Sequence, residues 1–150
     1  LFILISSLAR LGIFIYAIYK NEWVKRFRYS ICAEIGAGLA LLGLGITTKV
    51  WGFAICFLLL GINSGISYSI SLYYIMLGSS RRGRNTGMHE SIISGGYGIG
   101  AILGGVVAQF TGSLQTPYTL SGYILIIGII IQLLIIIKGN IIFYKVKEFK

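Results

Sequence analysis

One charged side chain lies in the middle of an apolar run, where its type and position imply binding chemistry. Arg10 falls within the run Leu1 to Tyr19 and precedes Lys20 by ten residues. In a helix that separation is about 15 Å, which reaches the middle of a hydrocarbon layer about 30 Å thick. A guanidinium at that depth costs several kcal/mol, so it should face a cavity or a partner. We interpret Arg10 as a group that binds an anion. The alternative is that Arg10 bonds main-chain carbonyls or a buried acid.

A second set of polar side chains follows one face of the run Val50 to Leu77. At about 100° per residue, Gly61 and Gly65 fall on one side of a helix with Tyr68 and Leu72. The other side is polar and carries Asn63, Ser67, Ser71 and Tyr74. This pattern is typical of a helix that faces an aqueous cavity and packs its small residues on a neighbour. The alternative is that the serines bond their own backbone within a dry helix contact.

His89 and Glu90 are adjacent and come just before the run Ile92 to Phe110. In a first helical turn, Glu90 would complement the helix dipole and pair with a basic residue of the preceding loop. We favour that interpretation over a proton relay between His89 and Glu90. We predict a cytoplasmic loop before this run. Its candidate functional residues are Arg81, Arg82, Arg84 and Glu90.

Motifs for catalysis or metal binding are missing from the sequence. It has one His, and it has no GxSxG, HExxH or Walker-type loop. Cys32 and Cys56 are isolated within apolar runs, which is typical of buried small side chains. We therefore predict no catalytic residues, no metal site and no cofactor.

Composition indicates that the bilayer is the solvent of this chain. Of 150 residues, 56% are hydrophobic and 11% are charged, whereas soluble domains carry about a quarter charged residues. The net charge of +9 is too sparsely distributed for a nucleic-acid surface, so we predict no nucleic-acid partner. The basic residues are instead typical of anchors at anionic lipid headgroups, which makes membrane lipids a predicted partner.

Five apolar runs are long enough to span a membrane as helices, which need about 20 residues. The predicted fold is therefore an all-α transmembrane, polytopic helix bundle that forms one domain over residues 1–150. Its five membrane-spanning helices are predicted at about 1–19, 31–48, 50–77, 92–110 and 120–137, with 138–150 as a cytoplasmic tail.

Basic residues alternate with the runs and predict a topology. The segments after the first, third and fifth runs are rich in Lys and Arg, whereas those after the second and fourth hold only Lys49. Because cytoplasmic loops carry an excess of Lys and Arg, the chain should start outside and end in the cytoplasm. We predict a multi-pass protein of the plasma membrane. The chain begins inside an apolar run, so we also expect N-terminal helices of the same protein as partners.

Glycines form a stripe on the fourth run. Gly96, Gly100 and Gly104 recur at four-residue spacing, and Gly105 lies beside them. Small residues let helix backbones approach closely in lipid, so the stripe predicts a helix-packing face. The alternative is that a glycine-rich helix bends or slides during a conformational cycle.

The stretch from Gly78 to Gly105, GSSRRGRNTGMHESIISGGYGIGAILGG, resembles a segment of major facilitator superfamily (MFS) transporters. The similar segment is the loop between the tenth and eleventh helices, together with the glycine-rich eleventh helix. The resemblance aligns this chain with helices eight to twelve and implies a partial MFS fold. It implies that the first, third and fourth helices line a central cavity and that the second and fifth are peripheral. The candidate cavity residues are then Arg10, Asn63, Ser67, Ser71, Tyr74 and Tyr97.

The resemblance implies secondary active transport of a small solute by alternating access, with this chain as part of the C-terminal half. Arg10 would make an anionic solute the expected partner. One alternative is a membrane enzyme that uses His89 and Glu90 on a lipid or phosphorylated substrate at the cytoplasmic surface. Another alternative is a structural membrane subunit in which every polar residue holds helices together.

Overall fold

The computed structural model describes residues 1–20, 22–26, 28–77 and 80–148, with side chains described as far as Lys138. Loop positions Asn21, Phe27, Gly78 and Ser79, and the last two residues of the predicted tail, lie outside the described residues. Five helices follow one another along the described chain: α1 (Phe2–Tyr19), α2 (Arg28–Ile46), α3 (Val50–Met76), α4 (Arg82–Thr111) and α5 (Thr116–Glu148). All five are long and apolar enough to cross a membrane, which confirms the predicted all-α transmembrane fold.

Helices α1 and α3 are in close contact because α3 presents two glycines to α1. A Cβ atom added at Gly61 would collide with the main chain of Ser6. A Cβ atom added at Gly65 would lie 2.7 Å from the Ile13 Cβ and 3.3 Å from the Arg10 carbonyl oxygen. Lipid provides no hydrophobic drive for helix association, so such close contact depends on small residues. The glycine side of α3 therefore packs on α1, as its sequence predicts.

Helix α2 packs between α3 and α5 and carries several of the most buried residues. Ala40 and Leu44 of α2 form a small core with Cys56 of α3. On the other side of α2, a Cβ atom at Gly38 would touch Ile126 of α5 at 3.7 Å. Helix α4 is more loosely held and contacts only α3 and α5 among the described helices.

Helix α4 begins at Arg82, earlier than the predicted start at residue 92. The correction places Arg82 and Arg84 within a helix, where a loop was predicted, and places Glu90 further along α4 than the predicted first turn. Asn85 supports this first part of α4, because its side-chain amide donates a hydrogen bond to the Ile75 carbonyl of α3 at 3.3 Å. The loop prediction rested on the glycine-, serine- and arginine-rich composition of residues 78–87. A glycine inside a helix costs only about 1 kcal/mol, which favourable contacts can offset.

Helix α5 also continues beyond its predicted end at residue 137. Its backbone is helical as far as Glu148, so most of the predicted tail is a continuation of the helix. Between α4 and α5 the chain turns at Gly112, whose φ of 64° is the left-handed conformation that glycine adopts at helix ends.

Hydrogen bonds join the turns at each end of the bundle. At one end, the Tyr74 hydroxyl near the end of α3 donates to the Lys25 carbonyl in the α1–α2 connection, at 2.9 Å. At the other end, the Gln115 side-chain amide before α5 donates to the Thr47 carbonyl between α2 and α3, at 3.1 Å. The basic connections therefore lie at one end and the charge-poor connections at the other.

Candidate functional site

A cavity of about 1280 Å³ lies among the helices. All five helices contribute to its wall, and α3 and α4 supply most of the lining. The structure brings every predicted cavity residue to this one space: Arg10, Asn63, Ser67, Ser71, Tyr74 and Tyr97. Whether a solute binds among them stays a prediction.

Arg10 is positioned by the close contact between α1 and α3. Its carbonyl lies against Gly65, so its side chain leaves the backbone beside the polar face of α3. The Nε atom is buried and has no hydrogen-bond partner. Among the side chains described, as far as Lys138, Arg10 makes no ion pair. A buried donor without a partner carries a desolvation penalty that an anionic ligand would remove.

The polar face of α3 is partly satisfied by bonds within the helix. Ser67 donates to the Asn63 side-chain oxygen at 3.2 Å, and Ser71 donates to the Tyr68 carbonyl at 3.0 Å. The bond of Ser71 to its own backbone agrees with one part of the alternative interpretation, but both serines line a cavity rather than a dry helix contact. The hydroxyls can still accept hydrogen bonds from a ligand, since each has two lone pairs.

A polar cluster joins α3 to α4 in the cavity wall. It consists of Tyr68 and Ser71 from α3 and His89 and Glu90 from α4. The Tyr68 hydroxyl donates to Glu90 Oε1 at 2.6 Å, and His89 Nε2 lies 2.9 Å from the Ser71 hydroxyl. The Tyr68 and His89 rings meet edge to face with centroids 5.5 Å apart. His89 is 7% exposed.

Two interpretations from the sequence are wrong in this cluster. Glu90 follows Arg82 by eight residues and so lies more than two turns into α4, outside the first turn in which pairing with the arginines was expected. Tyr68 was placed on the side of α3 opposite the polar residues, yet it lines the cavity. Tyr68 and Ser71 are three residues apart, which separates them by only about 60° around a helix. That spacing could have indicated their shared role.

Glu34 brings a second unpaired charge to the cavity, from α2. Its Oε1 accepts a hydrogen bond from the Ser30 hydroxyl at 2.9 Å, while its Oε2 is buried without a partner. Glu34 and Arg10 line the same cavity. No ion pair joins the two in the described part of the chain.

Comparison with known proteins gives one informative match. No family model matches the chain, and no solved structure matches it significantly. An uncharacterised MFS-type transporter of Methanocaldococcus jannaschii is 28% identical over 133 residues, which cover 87% of this chain. The resemblance to the major facilitator superfamily is confirmed. The chain spans 33% of the length of that MFS relative.

The MFS resemblance implied that α2 and α5 stay away from the cavity, and the structure corrects this. Ser30 and Glu34 of α2 and Gln132 of α5 reach its wall. They do so because α3 and α4 touch each other sparsely, which opens the space between them toward the helices behind. The outer surface of α5 fits the lipid-facing role, with exposed side chains such as Ile127, Ile131 and Leu134.

The glycine stripe of α4 makes almost no contact with the other described residues. A Cβ atom added at Gly96, Gly100 or Gly105 would meet nothing within 4 Å, and one at Gly104 would only touch Pro117 at 3.9 Å. The packing and gating role of this stripe stays a prediction. Tyr97 lies beside it and is 63% exposed.

No metal centre is formed by the side chains described as far as Lys138. These residues contain no group of three or more His, Cys, Asp or Glu side chains that could hold a metal ion. The polar groups in the cavity wall are a guanidinium, carboxylates, hydroxyls, amides and an imidazole. This set can hydrogen-bond a polar solute.

Proposed function

We propose that this chain forms part of the solute pathway of a secondary transporter and that Arg10 binds an anionic group of the solute. The observation that carries the proposal is the buried, unpartnered Nε of Arg10 in the wall of a large cavity. The similarity to an MFS-type transporter supports transport as the activity. In such a protein, alternating access would expose the cavity to each side of the membrane in turn.

The electrostatics of the cavity favour a small polar solute with one negative group. A guanidinium presents donors in a planar fork that matches a carboxylate or phosphate, and the surrounding low dielectric strengthens that bond. Asn63 and Ser67 lie on the same cavity wall and could hydrogen-bond the remainder of the solute.

The experiment measures anion binding by the full-length protein in lipid nanodiscs. Thermal unfolding is followed with inorganic phosphate, with acetate, lactate and succinate, and with glycerol as a neutral control. We expect at least one anion to stabilise the wild type, because a ligand that binds only the folded state raises its unfolding temperature. Arg10→Gln should weaken that binding by about 10- to 100-fold, the equivalent of a charged hydrogen bond of about 1.5–3 kcal/mol.

Arg82→Gln is the matched control, since Arg82 is an exposed arginine at the start of α4. It should bind the same anion as the wild type does. Equal stabilisation of Arg10→Gln and Arg82→Gln, or no stabilisation of the wild type by any of the anions, would contradict anion binding at Arg10. Uptake of the bound anion into proteoliposomes then tests transport itself, and absence of uptake would favour a structural subunit.

The structure does not favour the enzyme alternative. His89, its main candidate, is buried between α3 and α4, and its Nε2 lies 2.9 Å from the Ser71 hydroxyl. Unchanged uptake of the transported solute by the His89→Ala variant would agree with this view. Turnover of a lipid or phosphorylated compound that this variant loses would contradict it.

A further inference from the structure

Two side chains of opposite charge line the cavity, and each has a buried polar atom without a hydrogen-bond partner. Arg10 of α1 leaves its Nε unpartnered, and Glu34 of α2 leaves its Oε2 unpartnered. Both side chains are half-buried, and no ion pair joins them within the described part of the chain. Binding of an anionic group at Arg10 makes no use of Glu34, so the carboxylate requires a separate explanation.

Ser30 fixes one of the two carboxylate oxygens of Glu34. The buried Ser30 hydroxyl lies one helical turn earlier on α2 and donates to Glu34 Oε1 at 2.9 Å. A carboxylate is only an acceptor, so its second oxygen also needs a donor when it is buried. For Oε2 the described residues supply none. This unmet acceptor carries a desolvation penalty, which a ligand with an N–H group would remove.

Glu90 is the other acid that lines the cavity among the side chains described, and it already has a partner. The Tyr68 hydroxyl donates to Glu90 Oε1 at 2.6 Å, and His89 Nδ1 lies 3.6 Å from the same oxygen. Glu34 is therefore the cavity acid that still has a buried oxygen without a donor. It is the acid that a cationic group of a solute would bind.

An anion alone would satisfy only part of this charge arrangement. It would bind Arg10, leave Glu34 without a donor and add a second negative charge to the same cavity. Like charges repel more strongly in a low dielectric than in water. A solute with one anionic and one cationic group adds no net charge and gives both buried atoms a partner.

We propose that the solute is a zwitterion whose primary ammonium group binds Glu34 while its anionic group binds Arg10. The proposal rests on the proposed function, because it assigns the anionic group to Arg10. An ammonium group suits Glu34 Oε2, since it has three N–H donors and no acceptor, and its hydrogen bond to a carboxylate is charge-assisted. Free amino acids and other small amino-carboxylates have this chemistry.

The two charges come from helices that do not pack on each other. Helices α1 and α2 each pack on α3, and among the described helices they have no direct contact. A zwitterion held by Arg10 and Glu34 would therefore join α1 to α2 through the cavity. A solute with a single charge would engage only one of the two helices.

The test compares pairs of solutes that differ only in the amino group, with the full-length protein in lipid nanodiscs. Glycine, β-alanine, γ-aminobutyrate and δ-aminopentanoate are paired with acetate, propionate, butyrate and pentanoate. Thermal unfolding at several ligand concentrations gives each dissociation constant. We expect at least one amino acid to bind the wild type about 10-fold or more tightly than its paired carboxylate, as one added charge-assisted hydrogen bond implies.

Two variants test the acid that binds the ammonium group. Glu34→Gln should abolish the advantage of the amino acid, because the amide has no negative charge, and should leave binding of the paired carboxylate equal or tighter. Glu22→Gln is the matched control, since it removes an exposed acid of the α1–α2 connection, and should keep the full advantage.

The proposal would be overturned if no amino acid bound the wild type more tightly than its paired carboxylate, a comparison that needs no folded variant. It would also be overturned by equal advantages in Glu34→Gln and Glu22→Gln, or by an advantage that only Glu90→Gln removes. Carboxylate binding that depends on Arg10, without any advantage of the amino group, would leave the proposed function intact while this inference fails. Propylamine binding that depends on Glu34, with carboxylate binding unchanged in Arg10→Gln, would instead contradict the proposed function.

Discussion

Arg10 illustrates what a single residue type can indicate. Its charge within an apolar run was enough to predict a position facing a cavity, because hydrocarbon does not tolerate an unpaired guanidinium. The structure places it at a cavity, beside α3. The contacts of His89 could not be predicted in the same way. Its partners Tyr68 and Ser71 lie 21 and 18 positions earlier in the sequence and become neighbours only when α3 packs on α4.

Replacing Arg10 by an apolar residue separates ligand binding from a structural role. In Arg10→Met we expect the ligand-free protein to gain up to about 3 kcal/mol of stability, since the variant removes a guanidinium whose Nε is buried without a partner from a membrane-spanning helix. The measurement is the free energy of unfolding in bicelles titrated with dodecyl sulfate and followed by tryptophan fluorescence. Arg82→Met, at an exposed position, should change the stability little.

The alternative interpretation of Arg10 makes the opposite prediction. If Arg10 were bonded to an acid or to carbonyls elsewhere in the full-length protein, its loss would leave buried partners unpaired and destabilise the fold by about 3–5 kcal/mol. A large drop in the unfolding free energy of Arg10→Met would therefore favour structural pairing over solute binding.

At the scale of helices, composition located the membrane-spanning parts but not all of the helix ends. The apolar run at residues 92–110 is the part of α4 that can lie in hydrocarbon, yet the helix starts at Arg82. A helix can extend beyond the bilayer when contacts such as that from Asn85 to the Ile75 carbonyl support it. Those contacts are tertiary, so the local sequence does not reveal them. The packing role of the glycine pair of α3 could be predicted, because small residues four positions apart are typical of close helix contacts.

Gly61 provides the sharpest test of helix packing. We expect Gly61→Ala to destabilise the protein by about 1–3 kcal/mol, because the added methyl group would meet the Ser6 main chain and force α1 away from α3. The separation should also displace Arg10, so anion binding should weaken together with stability. Stability is measured in the same bicelle assay as for Arg10.

Gly128→Ala is the matched control for this substitution. Gly128 is an exposed glycine of α5, and a Cβ atom there would meet nothing within 4 Å. We expect its unfolding free energy to stay within about 0.5 kcal/mol of the wild type, the usual range for surface substitutions. Equal effects of Gly61→Ala and Gly128→Ala would show that the α1–α3 contact does not depend on a missing side chain.

For the whole molecule, the pattern of basic residues predicted more of the architecture than the sequence motifs did. The bonds from Tyr74 to Lys25 and from Gln115 to Thr47 place the basic connections at one end of the bundle and the charge-poor connections at the other. An alternation of charge along the chain thus becomes a separation of charge in space. The cavity itself could not be predicted from this pattern, since its shape depends on how far α3 and α4 stand apart.

The direction in which the bundle crosses the membrane follows from the same separation. Because Lys and Arg are retained in the cytoplasm, we expect the basic end to be cytoplasmic. Leu114, 83% exposed in the connection between α4 and α5, marks the charge-poor end. Ser80, exposed in the connection between α3 and α4, marks the basic end. Single cysteines at these two positions, with Cys32 and Cys56 replaced by serine, can report the orientation.

In intact cells that express the full-length protein, a membrane-impermeant maleimide should label Leu114→Cys and not Ser80→Cys. After the membrane is permeabilised, both variants should react, which controls for expression and for thiol reactivity. The physical reason is that the reagent cannot cross the bilayer, so labelling before permeabilisation reports the outer face alone. Labelling of Ser80→Cys in intact cells, with Leu114→Cys protected until permeabilisation, would mean that the bundle has the opposite orientation.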